Sequence, residues 1–107
     1  MDTETTGIGL LGLGVVGSAV AKAIIERHRP EDPSVPLNVI AATVRDLGRK
    51  RNVDIDPSLV STDPESVHAN SEVGIVVELM GGVDPAFDYI MAALKAGKHV
   101  VTANKEV

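Results

Sequence analysis

The 107-residue sequence contains no cysteine and no tryptophan, and its aromatic rings are limited to Phe87 and Tyr89. Without cysteine there is no disulfide, no zinc–thiolate centre and no thiol nucleophile, which suits a cytoplasmic protein. Without aromatic side chains there is no platform on which nucleic-acid bases would stack. The formal net charge of −5 removes the basic face that a phosphate backbone requires, so nucleic acid is not expected as a partner. A core lacking rings must be built from Val, Ile, Leu and Ala, as in strands covered by helices on both faces.

A membrane or secretory role is excluded on similar grounds. The apolar stretch "IGLLGLGVVGSAVAKAII" (Ile8 to Ile25) is preceded by Asp2 and Glu4 where a signal peptide needs positive charge. It also carries four glycines and Lys22, a poor composition for a span.

What is present is an alternation of short apolar runs and helical periodicities. Gly7 to Leu11 has the length of a buried strand. From Val16 the apolar positions Val16, Ala19, Val20, Ala23 and Ile24 recur at helical spacing, which predicts a helix burying that face and ending near Arg29, before Pro30. After a proline-rich loop, Leu37 to Val44 reads as a second strand, and Leu59–Val60 as a weaker one. Asp63-Pro64 signals a short helix ending near Asn70, with Asp63 as cap and Pro64 at its first position. Val73 to Leu79 is the clearest strand. Asp84-Pro85 marks the start of another helix, with Phe87, Ile90, Met91 and Leu94 as its core face and Gly97 as its left-handed end. His99 to Thr102 is the following strand. Strands alternating with helices predict an α/β fold: a parallel sheet with right-handed crossovers and helices on both faces.

The first strand runs into "GLGVVG", Gly12 to Gly17, which fits G-x-G-x-x-G between a strand and a helix. Gly12 allows a tight turn, Gly14 lets a pyrophosphate approach bare main chain, and Gly17 lets the helix lie close to the sheet. The N–H groups of Leu13, Val15, Val16 and their neighbours then face the phosphates, aided by the helix N-terminus. The competing reading is a glycine-rich turn without a ligand. The context favours a dinucleotide, and hence a Rossmann-type doubly wound fold, of which this is the N-terminal cofactor half.

The second strand leads into Arg45 and Asp46. Arg45 suits the 2′-phosphate of NADP, with Arg49, Lys50 and Arg51 adding positive potential nearby, whereas Asp46 keeps NAD open. At the same sheet edge, Gly81 and Gly82 permit close passage of the nicotinamide half. Glu78 either contacts a ribose or substrate or caps backbone amides. Thr102, Asn104 and Lys105 leave the last strand at this edge, where a lysine can orient the cofactor, bind a carboxylate or assist proton transfer. His28, His68 and His99 have no metal-ligand spacing, and no metal is expected.

Taken together, "IGLLGLGVVGSAVAKAI", "VRDLGRKR", "VVELMGG" and "AALKAGKHVVTANK" resemble the N-terminal half of homoserine dehydrogenase, from about Gly7 to Val107. The "VVTANK" segment is the most specific part; related sugar oxidoreductases share "AGKHV" but follow it with Glu-Lys-Pro. The resemblance implies reversible oxidation of L-homoserine to L-aspartate 4-semialdehyde with NAD(P), on the route to threonine, methionine and isoleucine. It implies that Gly12 to Gly17 hold the pyrophosphate, that Arg45 selects NADP, and that Lys105 is the catalytic lysine beside the nicotinamide. In that family a second catalytic lysine, the acidic substrate ligands, a monovalent-cation site and the dimer-forming sheet lie further along the chain. The expectation is therefore a fragment, residues 1–107 forming one cofactor domain, inactive alone, of an enzyme that is homo-oligomeric at full length. The alternatives are a non-catalytic NAD(P)-sensing module and a reductase of another small amino or keto acid.

Overall fold

The computed structural model describes residues 6–27, 37–48 and 55–104. In chain order these form β1 (Thr6–Leu11), α1 (Val15–Arg27), β2 (Leu37–Thr43), a 3-10 turn (Pro57–Leu59), β3 (Val60–Ser61), α2 (Glu65–His68), β4 (Val73–Glu78), α3 (Ala86–Lys95) and β5 (His99–Thr102). All strand pairs are parallel and the sheet order is β3-β2-β1-β4-β5. This is half of a doubly wound sheet, with β1 at its centre.

Alternation along the strands divides the core into two layers. On one face Ile8 and Leu10 of β1 pack with Val39 and Ala42 of β2 and Ala21 of α1. On the other, Leu11 packs with Ala41, Val76, Val67 of α2 and Ala93 of α3. The helices thus cover both faces of the sheet.

The faces that α1 and α3 bury differ from the expected ones. In α1 the buried positions are Gly17, Ser18 and Ala21, with Val20, Ile24 and Ile25 partly buried, whereas Val16, Ala19 and Ala23 are exposed. Apolar residues almost encircle this helix, so periodicity alone leaves its rotation open. Gly17 decides it: a Cβ there would lie 2.3 Å from the Gly12 carbonyl oxygen, so this position must be the contact point. In α3 the buried residues are Ala86, Ile90 and Ala93, while Phe87 is 47% and Leu94 50% exposed and Met91 is also exposed. Two alanines a double turn apart allow the helix to sit close to the sheet, and the larger side chains are turned out.

The caps also differ in detail. Pro85, not Asp84, occupies the cap of α3, which has no side-chain cap bond; the Phe87 N–H is taken by the Val83 carbonyl at 2.8 Å. Asp63 does accept the Glu65 N–H through Oδ1 at 2.9 Å, although α2 begins one residue later than the sequence pattern suggests, with Pro64 at the cap. Gly97 ends α3 with a φ of 82°, and the Lys98 N–H reaches back to the Ala93 carbonyl at 3.1 Å, a Schellman closure. The expected end of α1 at Arg29 lies outside the described residues. Beside the 3-10 turn, the exposed Asp56 carboxyl sits below its ordinary value of 3.8 because the Ser58 N–H, and then the Ser58 hydroxyl, donate to it. Among the described residues no helix is long and apolar enough to cross a membrane.

Gly17→Ala tests the contact that orients α1. Backbone oxygen cannot yield as a flexible side chain would, so the substitution is expected to cost about 1–3 kcal/mol, as overpacking generally does. Urea unfolding would show a lower midpoint at an unchanged slope.

Candidate functional site

The carboxyl ends of β1 and β4 meet where the chain reverses direction across the sheet, since β2 and β3 lie to one side of β1 and β4 and β5 to the other. Such a switch point opens a crevice in which ligands bind. The glycine turn fills its floor. Gly12 takes a φ of 108°, donates its N–H to the Thr43 carbonyl at 2.9 Å, and passes so near Leu79 that a Cβ would be 3.2 Å from that carbonyl oxygen. Backbone of both neighbouring strands therefore grips the turn.

From there the chain enters α1. Buried Leu13 is anchored through its carbonyl, which accepts the Ser18 hydroxyl at 2.9 Å, and the Ser18 N–H closes the first helical bond to the Gly14 carbonyl at 2.8 Å. The N–H groups of the first turn have no helical partner. No acidic residue stands in that turn to satisfy its positive end. Gly14 differs from its neighbours: a Cβ built there meets nothing within 4 Å, so its main chain borders open space. Val15, 87% exposed, and Val16 stand on the rim.

The open space is a cavity of about 410 Å³. Gly12, Leu13 and Gly14 line its base; Thr43 to Asp46 and Thr62 form one wall, and Leu79, Met80, Pro85 and Tyr89 the other. Arg45 and Asp46 are both exposed on the first wall. Asp46 Oδ1 accepts the Gly48 N–H at 2.9 Å, which ties this carboxylate to the turn that follows. Arg49, Lys50 and Arg51 lie outside the described residues. The opposite wall was not legible from motifs; only the position of Leu79 and Met80 directly after β4 marks it. The shape, the unpaired donors and the gap at Gly14 fit the diphosphate of a dinucleotide.

Beyond this cavity the ends of β4 and β5 are joined by side chains. Glu78 is fully buried, at 0% exposure. Its Oε2 accepts the Met80 N–H at 2.7 Å and the Asn104 amide at 3.3 Å, and its Oε1 accepts the Thr102 hydroxyl at 2.5 Å. Asn104 Nδ2 also donates to the Gly82 carbonyl at 2.5 Å, and its N–H donates to Thr102 Oγ1 at 3.0 Å. Glu78 thus caps the Met80 amide, one of the two roles open to it in the sequence. Thr102 and Asn104 face the same carboxylate because Glu78 and Thr102 are direct register partners in the β4–β5 ladder. Gly81 and Gly82, at φ of 80° and 77°, form the loop that this network closes upon. Lys105 lies outside the described residues. Among the described residues no group of three or more His, Asp or Glu could hold a metal ion; His68 rests against Tyr89, ring centroids 6.5 Å apart.

Comparison with known proteins places this geometry. Residues 12–107 match the family model for the homoserine dehydrogenase NAD binding domain. The chain is 41% identical over 103 residues to a homoserine dehydrogenase of Synechocystis sp., covering 96% of this chain and 24% of that protein. It is 40% identical over 103 residues to the enzyme of Bacillus subtilis, covering 94% and 24%. A crystal structure of S. aureus homoserine dehydrogenase superposes with a TM-score of 0.86 at 36% identity, over 97% of this chain and 27% of that one. The chain thus spans about a quarter of the length of these relatives. A glycine turn at a switch point is shared by many oxidoreductases, but sequence identity of this extent through the turn, the strand ends and the sheet is not, and this chain belongs to the homoserine dehydrogenase family, corresponding to its NAD-binding domain.

Proposed function

We propose that residues 1–107 form the cofactor domain of an enzyme that interconverts L-homoserine and L-aspartate 4-semialdehyde, with NADP preferred over NAD. The observation that carries the cofactor role is the open main chain at Gly14, facing a cavity below a helix end that lacks acidic residues. The family match supports the reaction and weighs against a sensing module or a reductase of another acid.

In this reading the turn from Gly12 to Gly17 holds the diphosphate: the Gly12 N–H is taken by the Thr43 carbonyl and shapes the turn, and the amides that follow it, including those of Leu13, Gly14, Val15 and Val16, face the ligand. Arg45 holds the 2′-phosphate as a charge-assisted, bidentate partner. Two facts support NADP: Arg45 is exposed on the cavity wall, and the Asp46 carboxylate is drawn to the Gly48 N–H. Gly81 and Gly82, with Thr102 and Asn104 behind them, border the nicotinamide half. When bound, the nicotinamide supplies the hydride acceptor or donor. Lys105, next in sequence to Asn104, is the chain's catalytic group in this reading, a role that the resemblance to homoserine dehydrogenase supports. Substrate ligands and the oligomer contact come from outside these residues, in a homo-oligomeric cytoplasmic enzyme of threonine, methionine and isoleucine synthesis. Alone, the domain binds cofactor and turns over nothing, because a hydride moves only between groups held against each other.

Three measurements test this. Full-length enzyme carrying this domain is expected to reduce NADP+ on addition of L-homoserine; no turnover would overturn the proposed reaction. Gly14→Val adds a side chain to empty space, so thermal unfolding should be unchanged while the NADP dissociation constant rises by about tenfold or more, as a bulky group displaces the diphosphate from its donors. Arg45→Ala removes one charged partner, worth about 1.5–3 kcal/mol, so NADP affinity should fall about tenfold or more while NAD affinity holds. An unaltered NADP-to-NAD ratio would remove Arg45 from its role.

A further inference from the structure

We infer that Glu78 is a positioning residue: through Asn104 it locks the Gly81–Gly82 loop to the end of β5, and so fixes the edge of the site that Gly82 and Asn104 border. The inference rests on the proposed dehydrogenase reaction for its catalytic consequence, although the lock itself is a matter of geometry.

Three observations carry it. A glutamate with no exposed surface is costly unless its oxygens are satisfied, and here three donors converge on it. Those donors come from two different segments: Met80 from the exit of β4, Thr102 and Asn104 from the exit of β5. The Asn104 amide is the bridge, because the same nitrogen that reaches Glu78 Oε2 at 3.3 Å also reaches the Gly82 carbonyl at 2.5 Å.

Position makes the lock more than a core contact. A buried carboxylate needed only for packing could be replaced by an apolar side chain of similar volume at little loss. This one stands at the ligand-facing edge of the sheet, and the groups it holds lie at the last residue of β5 and in the segments that leave β4 and β5 beside the site. The two consecutive glycines at positive φ would otherwise leave that loop with many accessible conformations. Glu78 touches neither substrate nor nicotinamide in this scheme. It acts by removing freedom from the segments that do. Affinity for the dinucleotide resides elsewhere in this scheme, in the turn after β1 and at Arg45 after β2.

The test uses full-length enzyme and two variants, Glu78→Gln and Asn104→Ala. Glutamine keeps one oxygen for Met80 and Asn104 but sets an amide against the Thr102 hydroxyl, which loses its acceptor. Alanine at the half-buried Asn104 removes the bridge and leaves the core glutamate its other donors, so this variant remains informative should Glu78→Gln fail to fold. The expected result is a fall in kcat on the order of tenfold to a hundredfold, the scale of a slight misplacement of reacting groups. The NADP dissociation constant should be unchanged. Amide exchange at Gly82 and Ala103 should quicken by about tenfold or more, what loss of one hydrogen bond to a charged partner allows, while exchange in β1 holds.

A purely structural role predicts instead a lower unfolding temperature with kcat per folded molecule and local exchange unchanged, and that result overturns the inference. Should the parent enzyme fail to oxidise homoserine, the proposed reaction falls. The exchange data then decide the lock by themselves, faster local opening in Asn104→Ala supporting it and unchanged opening refuting it.

Discussion

At Gly17 helix α1 lies against the Gly12 carbonyl with room for a hydrogen atom and no more; a Cβ would stand 2.3 Å from that oxygen. The contact sets how far α1 stands from β1 and which way it is rotated. It thereby brings the helix N-terminus over the open main chain of Gly14. The same rotation buries Ser18, whose hydroxyl holds the Leu13 carbonyl, so the turn is gripped from the helix as well as from both flanking strands. Binding of any anion at a helix end is favoured by donors that are already in place, and here one steric fact arranges the turn that carries them.

The β4–β5 pair is secured at both ends by buried or half-buried charge of opposite sign. At the end away from the site, Lys98 Nζ donates to the carbonyls of Asn70 and Val73, both at 2.7 Å, where β4 begins. At the site edge the Glu78 carboxylate collects three donors where β4 and β5 end. A cation on carbonyls and an anion on N–H and O–H groups each satisfy main-chain or loop groups that a short ladder leaves unpaired. The four-residue β5 gains from this rigidity, since few ladder bonds hold it otherwise. The surface pair Lys22–Glu26, at 4.0 Å between exposed side chains, adds little by comparison.

Much of the fold was legible in the residue pattern. Apolar runs of strand length, separated by Asp-Pro, Gly-Gly and Gly signals, mark β1, β2, β4 and β5 within a residue of their observed bounds. Even the weak Leu59–Val60 patch corresponds to the short β3. Helix faces were less legible. In α1 valine and alanine occupy nearly every direction, and in α3 the bulky Phe87, Met91 and Leu94 outweigh the small alanines that in fact approach the sheet. Hydrophobicity scales reward size, whereas close packing against a sheet rewards smallness.

For the site the division is similar. The amino-acid order alone determined the glycine turn, its place between strand and helix, the Arg45–Asp46 pair after β2, and the family likeness, because each is a local pattern read over a few residues. Tertiary structure alone decided that Glu78, Thr102, Asn104 and Gly82 form one network, and that Met80, Pro85 and Tyr89 make a wall opposite Thr43 and Thr62. Those residues are far apart in sequence, and only parallel pairing across the crossovers brings them to one edge. Register is a property of the assembled sheet, so the partners of a buried carboxylate appear only once its neighbours are known.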